Sequence, residues 1–540
     1  MGINPVGRVP PDCPHAAVEV GEEAGVAKDL KLLAGFITVA CTRERECRFS
    51  ERDVMSRCFI CVFIITATVF ASCARQQVNP AAIEPMTHPA PLQATLDEWV
   101  AREAIPFSVD SPATFHAGVA KVVASLGDSV ELLGFGEAVH GGEDILILRN
   151  RLFQRLVEAH GYSAIAIESS FPRARVVNEY VAGHGPASYE AVQDTGFSHG
   201  FGRLDANREL VEWMRRYNAD ASHRVKLQFY GFDSPTEMTG SDSPSHVLHF
   251  VLDYLASIDR ASGQERRERI DRLLGKDSDW ENPAAMMDPT KSVGLSPAAT
   301  ALRIETEDLI TELQLRRPEL VAKSDETRYL EAAQYASVAQ QLLNYHAALA
   351  RKSDDRLVAG LGLRDAMMAD NLAYVVSRER GRGKVLAFAH NTHLQRGKAQ
   401  WQLGSNLLTW WPAGAHLNEM FGPRYAVIGS AVGVSDANGI GQPEAGTLEA
   451  RLTAVPGPAR FIPTHKGQGL AASEAESARR RTLYAAIAAL PTRSGSRMNP
   501  TYFALTPQSF TDFDWLAVLD STAYNRGGPP LQQRDASPKQ

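Results

Sequence analysis

The sequence predicts an α/β fold over residues 92–520: a three-layer α/β/α arrangement with a mainly parallel or mixed sheet and a large helical insertion. Two patterns predict it. Short continuous apolar runs such as "ELLGFG" (131–136) and "SAIAIE" (163–168) alternate with amphipathic helical stretches, as expected of strands buried on both faces. From about 245 to 380 the strands cease and apolar residues recur at helical spacing, as in "SHVLHFVLDYLASI" and "YLEAAQYASVAQQLLNYHAAL".

In order, the periodicity places helices at 93–103 and 113–126, a strand at 130–136 and a helix at 143–160. A strand at 163–168, helices at 172–182 and 205–219 and a strand at 225–232 follow. After the helical insertion, strands return at 384–389, 424–431, 501–505 and 514–519. The segments 434–475 and 525–540 show little periodicity and read as loop and tail, with 521–540 expected to be disordered. No repeat of roughly 20–50 residues recurs, which excludes a solenoid.

The N-terminal part has a different character. All six cysteines (Cys13, Cys41, Cys47, Cys58, Cys61 and Cys73) fall there, so the globular part offers no disulfide, no Cys–zinc site and no Cys nucleophile. From Met55 the chain reads "MSRCFICVFIITATVFASC": a basic start at Arg57, an apolar core over 58–70, then Ala-Ser-Cys. The core is too short for a spanning helix, which needs about 20 residues, and has the size of a signal-peptide core. The ending resembles a bacterial lipobox, with Cys73 as the residue to be lipidated. The expectation is an exported, membrane-anchored periplasmic lipoprotein, with a soluble periplasmic protein as the alternative. Residues 1–54 then read as a disordered upstream extension, 55–73 as the signal and the Pro/Ala-rich stretch 74–91 as a linker. A net charge of −7 carries no polyanion footprint, so nucleic acid is not an expected partner.

Four apolar strands each deliver ionisable side chains at their carboxyl ends. The first ends at Glu137 and His140, the second at Glu168, the third at Asp233, the fourth at His390 and His393. In open α/β sheets that edge is where ligands bind. Arg149 lies within the apolar stripe of its helix (Ile145, Leu148, Leu152, Phe153, Leu156), and a buried guanidinium needs a carboxylate partner; Glu137 and Glu168 are the candidates. Asp233 equally suits an Asx turn before Pro235. His160, His199, His246 and His346 lie away from strand ends and read as surface or core residues. "GFSHG" (196–200) has the spacing of a nucleophile elbow around Ser198, but it follows a polar stretch rather than a buried strand, so a serine hydrolase is not expected.

Two chemistries suit such a cluster. A histidine acts as general base on water attacking an ester carbonyl, with a carboxylate fixing its tautomer and a cation stabilising the oxyanion. Alternatively, His and carboxylates hold a divalent metal that generates hydroxide. A third reading is a non-catalytic exported protein that binds a small ligand.

"GEAVHGGEDILILRNRLFQRLVEAHGYSAIAIES", "YVAGHG", "YGFDSP", "RDAMMADNL" and "VLAFAHNTHLQRG" together resemble the erythromycin esterase family, over roughly residues 92–520. The resemblance implies a helical insertion over the cleft, cofactor-independent hydrolysis of a macrolide-like ester or lactone, and a link to antibiotic resistance. It implies His140 as general base, Glu137 as its partner, and Arg149, Glu168 and His390 completing the catalytic set. His393 and Asp233 would contact substrate, and a late histidine would stabilise the oxyanion.

Overall fold

A computed structural model describes residues 90–237, 240–464, 474–496, 498–529 and 531, all in a unit that begins at Thr87. The signal-like segment with Cys73, most of the linker and the end of the tail lie outside the described residues. Among the described residues, no helix is long and apolar enough to cross a membrane.

The central sheet has eight strands: β1 (Ile105–Phe107), β2 (Leu132–Glu137), β3 (Tyr162–Ser170), β4 (Gln228–Asp233), β5 (Lys384–His390), β6 (Tyr425–Val434), β7 (Ala459–Pro463) and β8 (Trp515–Ser521). Their order across the sheet is β1-β7-β8-β6-β2-β5-β3-β4. The six strands from β8 to β4 are mutually parallel, and β7 runs antiparallel between β1 and β8. This is the mixed, mostly parallel sheet that the apolar runs predict.

Alternation along each strand builds two cores. Leu133, Phe135, Ile165, Ile167, Leu386 and Phe388 join one, against the helices that follow α1 (Ala90–Glu103): α2 (Pro112–Leu126), α3 (Glu143–His160), α4 (Phe171–Val181) and α5 (Asp205–Ala219). Their neighbours Leu132, Ala164, Ala166, Val385 and Ala387 join the other. Period-two geometry requires this split, and burial of both faces explains why the strands read as unbroken apolar runs.

The insertion contributes α6 (Ser245–Ile258), α7 (Arg260–Leu274), α8 (Pro297–Leu315), α9 (Glu326–Leu349) and α10 (Arg356–Glu379). Val251, Leu255, Leu309, Tyr335 and Val338 give it a hydrophobic core of its own. Helix α10 joins insertion to sheet. Its later half buries Met368, Leu372, Val375 and Val376 under the sheet, while Arg364 and Asp365 lie on the half before them.

Three segments differ from expectation. The stretch 501–505, expected as a strand, has no regular structure: Phe503 N bonds Ala138 O, and Leu505 N turns instead to the Glu449 side chain. The segment 434–475, expected as loop, contains β7 and a short helix, Leu448–Leu452. Both elements have five residues, too few for periodicity to emerge from their surroundings. Residues 522–529, assigned to the tail, are ordered against α3 and α5: Arg526 pairs with Glu143 and Glu209, and Gly142 bridges to Tyr524.

Candidate active site

The four strands that end in ionisable residues, β2, β5, β3 and β4, are consecutive in the sheet, so their carboxyl ends form one continuous edge. Glu137 stands beside His390 in the β2–β5 register.

At the end of β2, Gly136 leaves room for Asn391: a Cβ there would lie 2.3 Å from Asn391 Oδ1. The Asn391 amide in turn accepts from Ser430 N (3.1 Å) and donates to Ser430 O (2.8 Å), stitching β5 to β6. The chain then turns through Gly141 (φ 100°), where only glycine is unstrained. The turn brings His140 back over Glu137, with Nδ1 2.6 Å from Glu137 Oε1. His140 N donates to Thr501 Oγ1, and Asn499 Nδ2 donates to His140 O, so the backbone is held from both sides. Since a carboxylate accepts only, Nδ1 carries the proton and Nε2 keeps its lone pair. That nitrogen lies 4.0 Å from Glu168 Oε1, beyond direct hydrogen bonding. Burial disfavours the imidazolium, but Glu137 and Glu168 outweigh it and raise the His140 pKa above its ordinary 6.5.

Glu168, at the end of β3, is the hub. Its Oε2 accepts from His390 N (2.8 Å); its Oε1 receives Arg364 Nη2 (3.1 Å) and lies 3.3 Å from His393 Nε2. Burial opposes its charge, yet His393, His140 and Arg364 hold the carboxyl well below the ordinary range. His393 Nδ1 bonds Asp365 Oδ1 at 2.7 Å, and Asp365 also accepts from Trp410 Nε1 (2.5 Å) and Ala413 N (3.0 Å). Against burial, Asp365 and Glu168 push the His393 pKa up to about 10, making it an imidazolium at neutral pH. His393 Nε2 also lies 3.3 Å from Arg364 Nη1, two cations side by side that Glu168, Asp233 and Asp365 together hold in place.

Asp233 is fully buried and does not reach the cleft. It grips Arg364 through two bonds, Oδ1 to Nε at 3.0 Å and Oδ2 to Nη2 at 2.6 Å, and it meets His199 Nε2 at 3.1 Å. This corrects the expectation of substrate contact: Asp233 positions a cation and a histidine from behind the cleft wall. His390 differs from expectation too. Its Nδ1 accepts from Thr392 N (3.2 Å) and its Nε2 lies 2.8 Å from Thr501 O, a carbonyl that can only accept. Both ring nitrogens are therefore engaged. Burial and the adjacent His140 lower its pKa to about 3, so it is a neutral wall, edge-on to His140 with ring centroids 5.1 Å apart.

Arg149 is buried, but forms no ion pair within 4.0 Å of Glu137 or Glu168. Its Nε and Nη2 both donate to Asn150 Oδ1, at 3.1 and 2.7 Å, and its guanidinium lies over the Phe388 ring. The ion pair expected of it with Glu168 is made by Arg364 instead, because α10 delivers Arg364 directly over that carboxylate. Burial lowers the Arg149 pKa to about 10 against the pull of Glu137.

These groups open onto a cleft of about 530 Å³, walled also by Phe201, Leu361, Trp401, Trp410 and Phe503. Beyond Leu361, Arg364 and Trp401 lies an apolar annex of about 320 Å³, lined by Met286, Tyr345, Leu349, Leu357 and Gly360. His199, read from sequence as filler, lines the cleft from a left-handed backbone (φ 57°), and Ser198 beside it is buried with its hydroxyl accepting from Ser170 N. Arg364 and Asp365 stand in the "RDAMMADNL" motif, which marked them in the sequence without revealing a role. The two tryptophans sit on an antiparallel hairpin, Ala399–Leu403 with Asn406–Trp410, whose "GS" turn between alternating runs was a readable signal.

Among the described residues no three His or acidic side chains come together as a metal-holding group. The donor set also does not suit a divalent ion: the Arg364 guanidinium touches Glu168, Asp233 and His393, and His390 has no free nitrogen.

The family model described as erythromycin esterase matches residues 157–522. The chain is 23% identical over 336 residues to an erythromycin esterase type II of Escherichia coli, covering 62% of this chain and 76% of that protein. It is 24% identical over 307 residues to a type I enzyme of the same organism, covering 55% and 70%. Among solved structures, a Bacillus cereus protein superposes with TM-score 0.62 at 18% identity, covering 81% of this chain and 99% of that one. A mutant of the erythromycin esterase EreC in its open conformation superposes with TM-score 0.53 at 18% identity, covering 77% and 95%.

Proposed function

Because the chain belongs to the erythromycin esterase family, we propose that it hydrolyses a bulky ester or lactone of the macrolide type by histidine-activated water. The observation that carries this reading is the Glu137–His140 pair at 2.6 Å, with His140 Nε2 unbonded and turned toward the cleft. Glu137 fixes the tautomer and stabilises the imidazolium that forms as His140 takes a proton from water. The water oxygen attacks the ester carbonyl. The developing oxyanion meets the cationic wall of Arg364 and His393, whose charges are already oriented by Asp233, Asp365 and Glu168. Collapse of the tetrahedral intermediate returns the proton from His140 to the departing alkoxide. Glu168 orders the cations and adds to the basicity of His140; His390 is a neutral wall that restricts the ring's orientation.

The cleft's composition supports a substrate with both polar and apolar parts. One end is ionic, and the annex is apolar. Ligand sites of this kind orient a molecule by a few polar groups and bind it by apolar area. We propose further that the protein is exported and anchored through Cys73, on the strength of the signal-like segment from Met55.

Incubation of the purified protein with macrolides, simple lactones and aryl esters, read by mass spectrometry, tests the reading. It predicts that a lactone gains the mass of one water, and that an aryl ester yields an acid and a phenol together heavier by one water, both still in excess chelator. Absence of water addition to every ester offered, or its loss on chelation, contradicts it.

A further inference from the structure

Beside the Glu137–His140 pair lies a small, partly open space of about 20 Å³, with polar walls from Glu137, His140, Arg149, Glu168, Asn207 and Asn525 and apolar walls from neighbours such as Leu146. A site of about 10–15 Å³ already accommodates one water. Its polar walls are unusually uncommitted. Asn207 Oδ1 and Asn525 Oδ1 are both buried without a hydrogen-bond partner among the described residues. The Asn207 amide is not free to turn, because its Nδ2 donates to Phe201 O at 2.8 Å. Glu137 uses Oε1 on His140, and no described residue donates to its Oε2. Arg149 spends Nε and one N–H of Nη2 on Asn150, and Nη1 donates to no described residue.

We propose that this chamber holds one ordered water, which accepts from Arg149 Nη1 and donates among Glu137 Oε2 and the amide oxygens of Asn207 and Asn525. Arg149 is thereby a positioning residue that acts on the Glu137–His140 pair through water. The walls select this occupant. Glu137 and Glu168 repel an anion, the Arg149 guanidinium repels a metal cation, and the orphaned acceptors require a donor. The arrangement also explains why a buried arginine stops short of its carboxylate. A direct guanidinium–carboxylate fork would compete with His140 for Glu137, whereas a bridging water leaves Oε1 to the imidazole.

The proposal rests on His140 as the base, and its test separates the two ideas. A crystal structure that resolves ordered solvent should show one water within about 3.2 Å of both Arg149 Nη1 and Asn207 Oδ1. No density there, or a side chain in the space, overturns the proposal whatever the enzyme's activity. In solution, Asn525→Leu removes an acceptor from the wall of this space at a residue that does not line the cleft. It should lower kcat about five- to ten-fold, the scale of one hydrogen bond, at unchanged KM. Arg149→Met removes a positive charge near His140, so the acid limb of kcat/KM should move to higher pH. Wild-type kcat in folded Asn525→Leu overturns the positioning role, as does an unmoved limb in folded Arg149→Met. If wild-type protein hydrolyses no ester, the reading of the base fails while the water test stands.

Discussion

Arg364→Met removes the cation on which the site's carboxylates converge. At an effective dielectric of about 20, charges about 4 Å apart interact by roughly 4 kcal/mol. Arg364 faces two carboxylates, Asp233 and Glu168, and one imidazolium, His393. Two attractions less one repulsion leave about 4 kcal/mol, within the roughly 3–5 kcal/mol typical when one partner of a buried pair is removed. Urea unfolding at neutral pH, followed by tryptophan fluorescence, measures the loss; Trp401 and Trp410 stand beside the site as reporters. Because the pair is buried, the loss should persist at about 0.5 M salt, where an exposed pair would be screened. Combining the change with Asp233→Leu should recover part of the loss, since the second change removes the stranded carboxylate. A cost below about 1 kcal/mol, or simple additivity of the two changes, refutes the reasoning.

The pH dependence of stability follows from His393. Its folded pKa of about 10 lies above the ordinary 6.5, so its contribution is complete below 6.5 and is lost as pH rises toward 10. Thermal melts should decline across that window in wild type and flatten in His393→Asn; parallel curves for the two proteins would contradict the assignment. Gly360 lines the annex, with the nearest atoms to an added Cβ at 3.7 and 3.8 Å, so a larger side chain fits locally and reaches into the space. Gly360→Phe should raise KM for a macrolide roughly ten-fold or more relative to an acetate ester, and an equal effect on both would remove the annex from substrate binding. If Cys73 carries the anchor, Cys73→Ser moves the protein from membrane to soluble fractions; identical fractionation of both argues against lipidation.

The sheet was legible because its strands are buried on both faces and therefore read as unbroken apolar runs. The same property made the strand-end residues Glu137, His140, Glu168 and His390 visible, since an ionisable group closing such a run is conspicuous. What escaped detection depends on long-range geometry. Arg364 sits in an ordinary amphipathic helix, and nothing in its neighbours shows that α10 carries it over Glu168. His199 follows a polar stretch and gains its position from a left-handed turn and Asp233, a contact 34 residues away. Arg149 was conspicuous as a charge in an apolar stripe, but sequence could not show that Asn150, its immediate neighbour, would take two of its donors. Residues 501–505 read as a strand because "TYFAL" is β-prone; in the fold they serve the site instead, Thr501 binding His140 and His390 and Phe503 walling the cleft.

Turnover of purified, folded His140→Ala across pH is the most direct measurement of the central claim. The account predicts that wild-type kcat/KM rises with pH through a pKa above 6.5, as His140 loses its proton. The variant should lose about 10²–10⁴-fold in kcat, the usual contribution of a general base, together with that limb of the profile. Wild-type turnover in His140→Ala, or an unchanged acid limb, would show that another group activates the water.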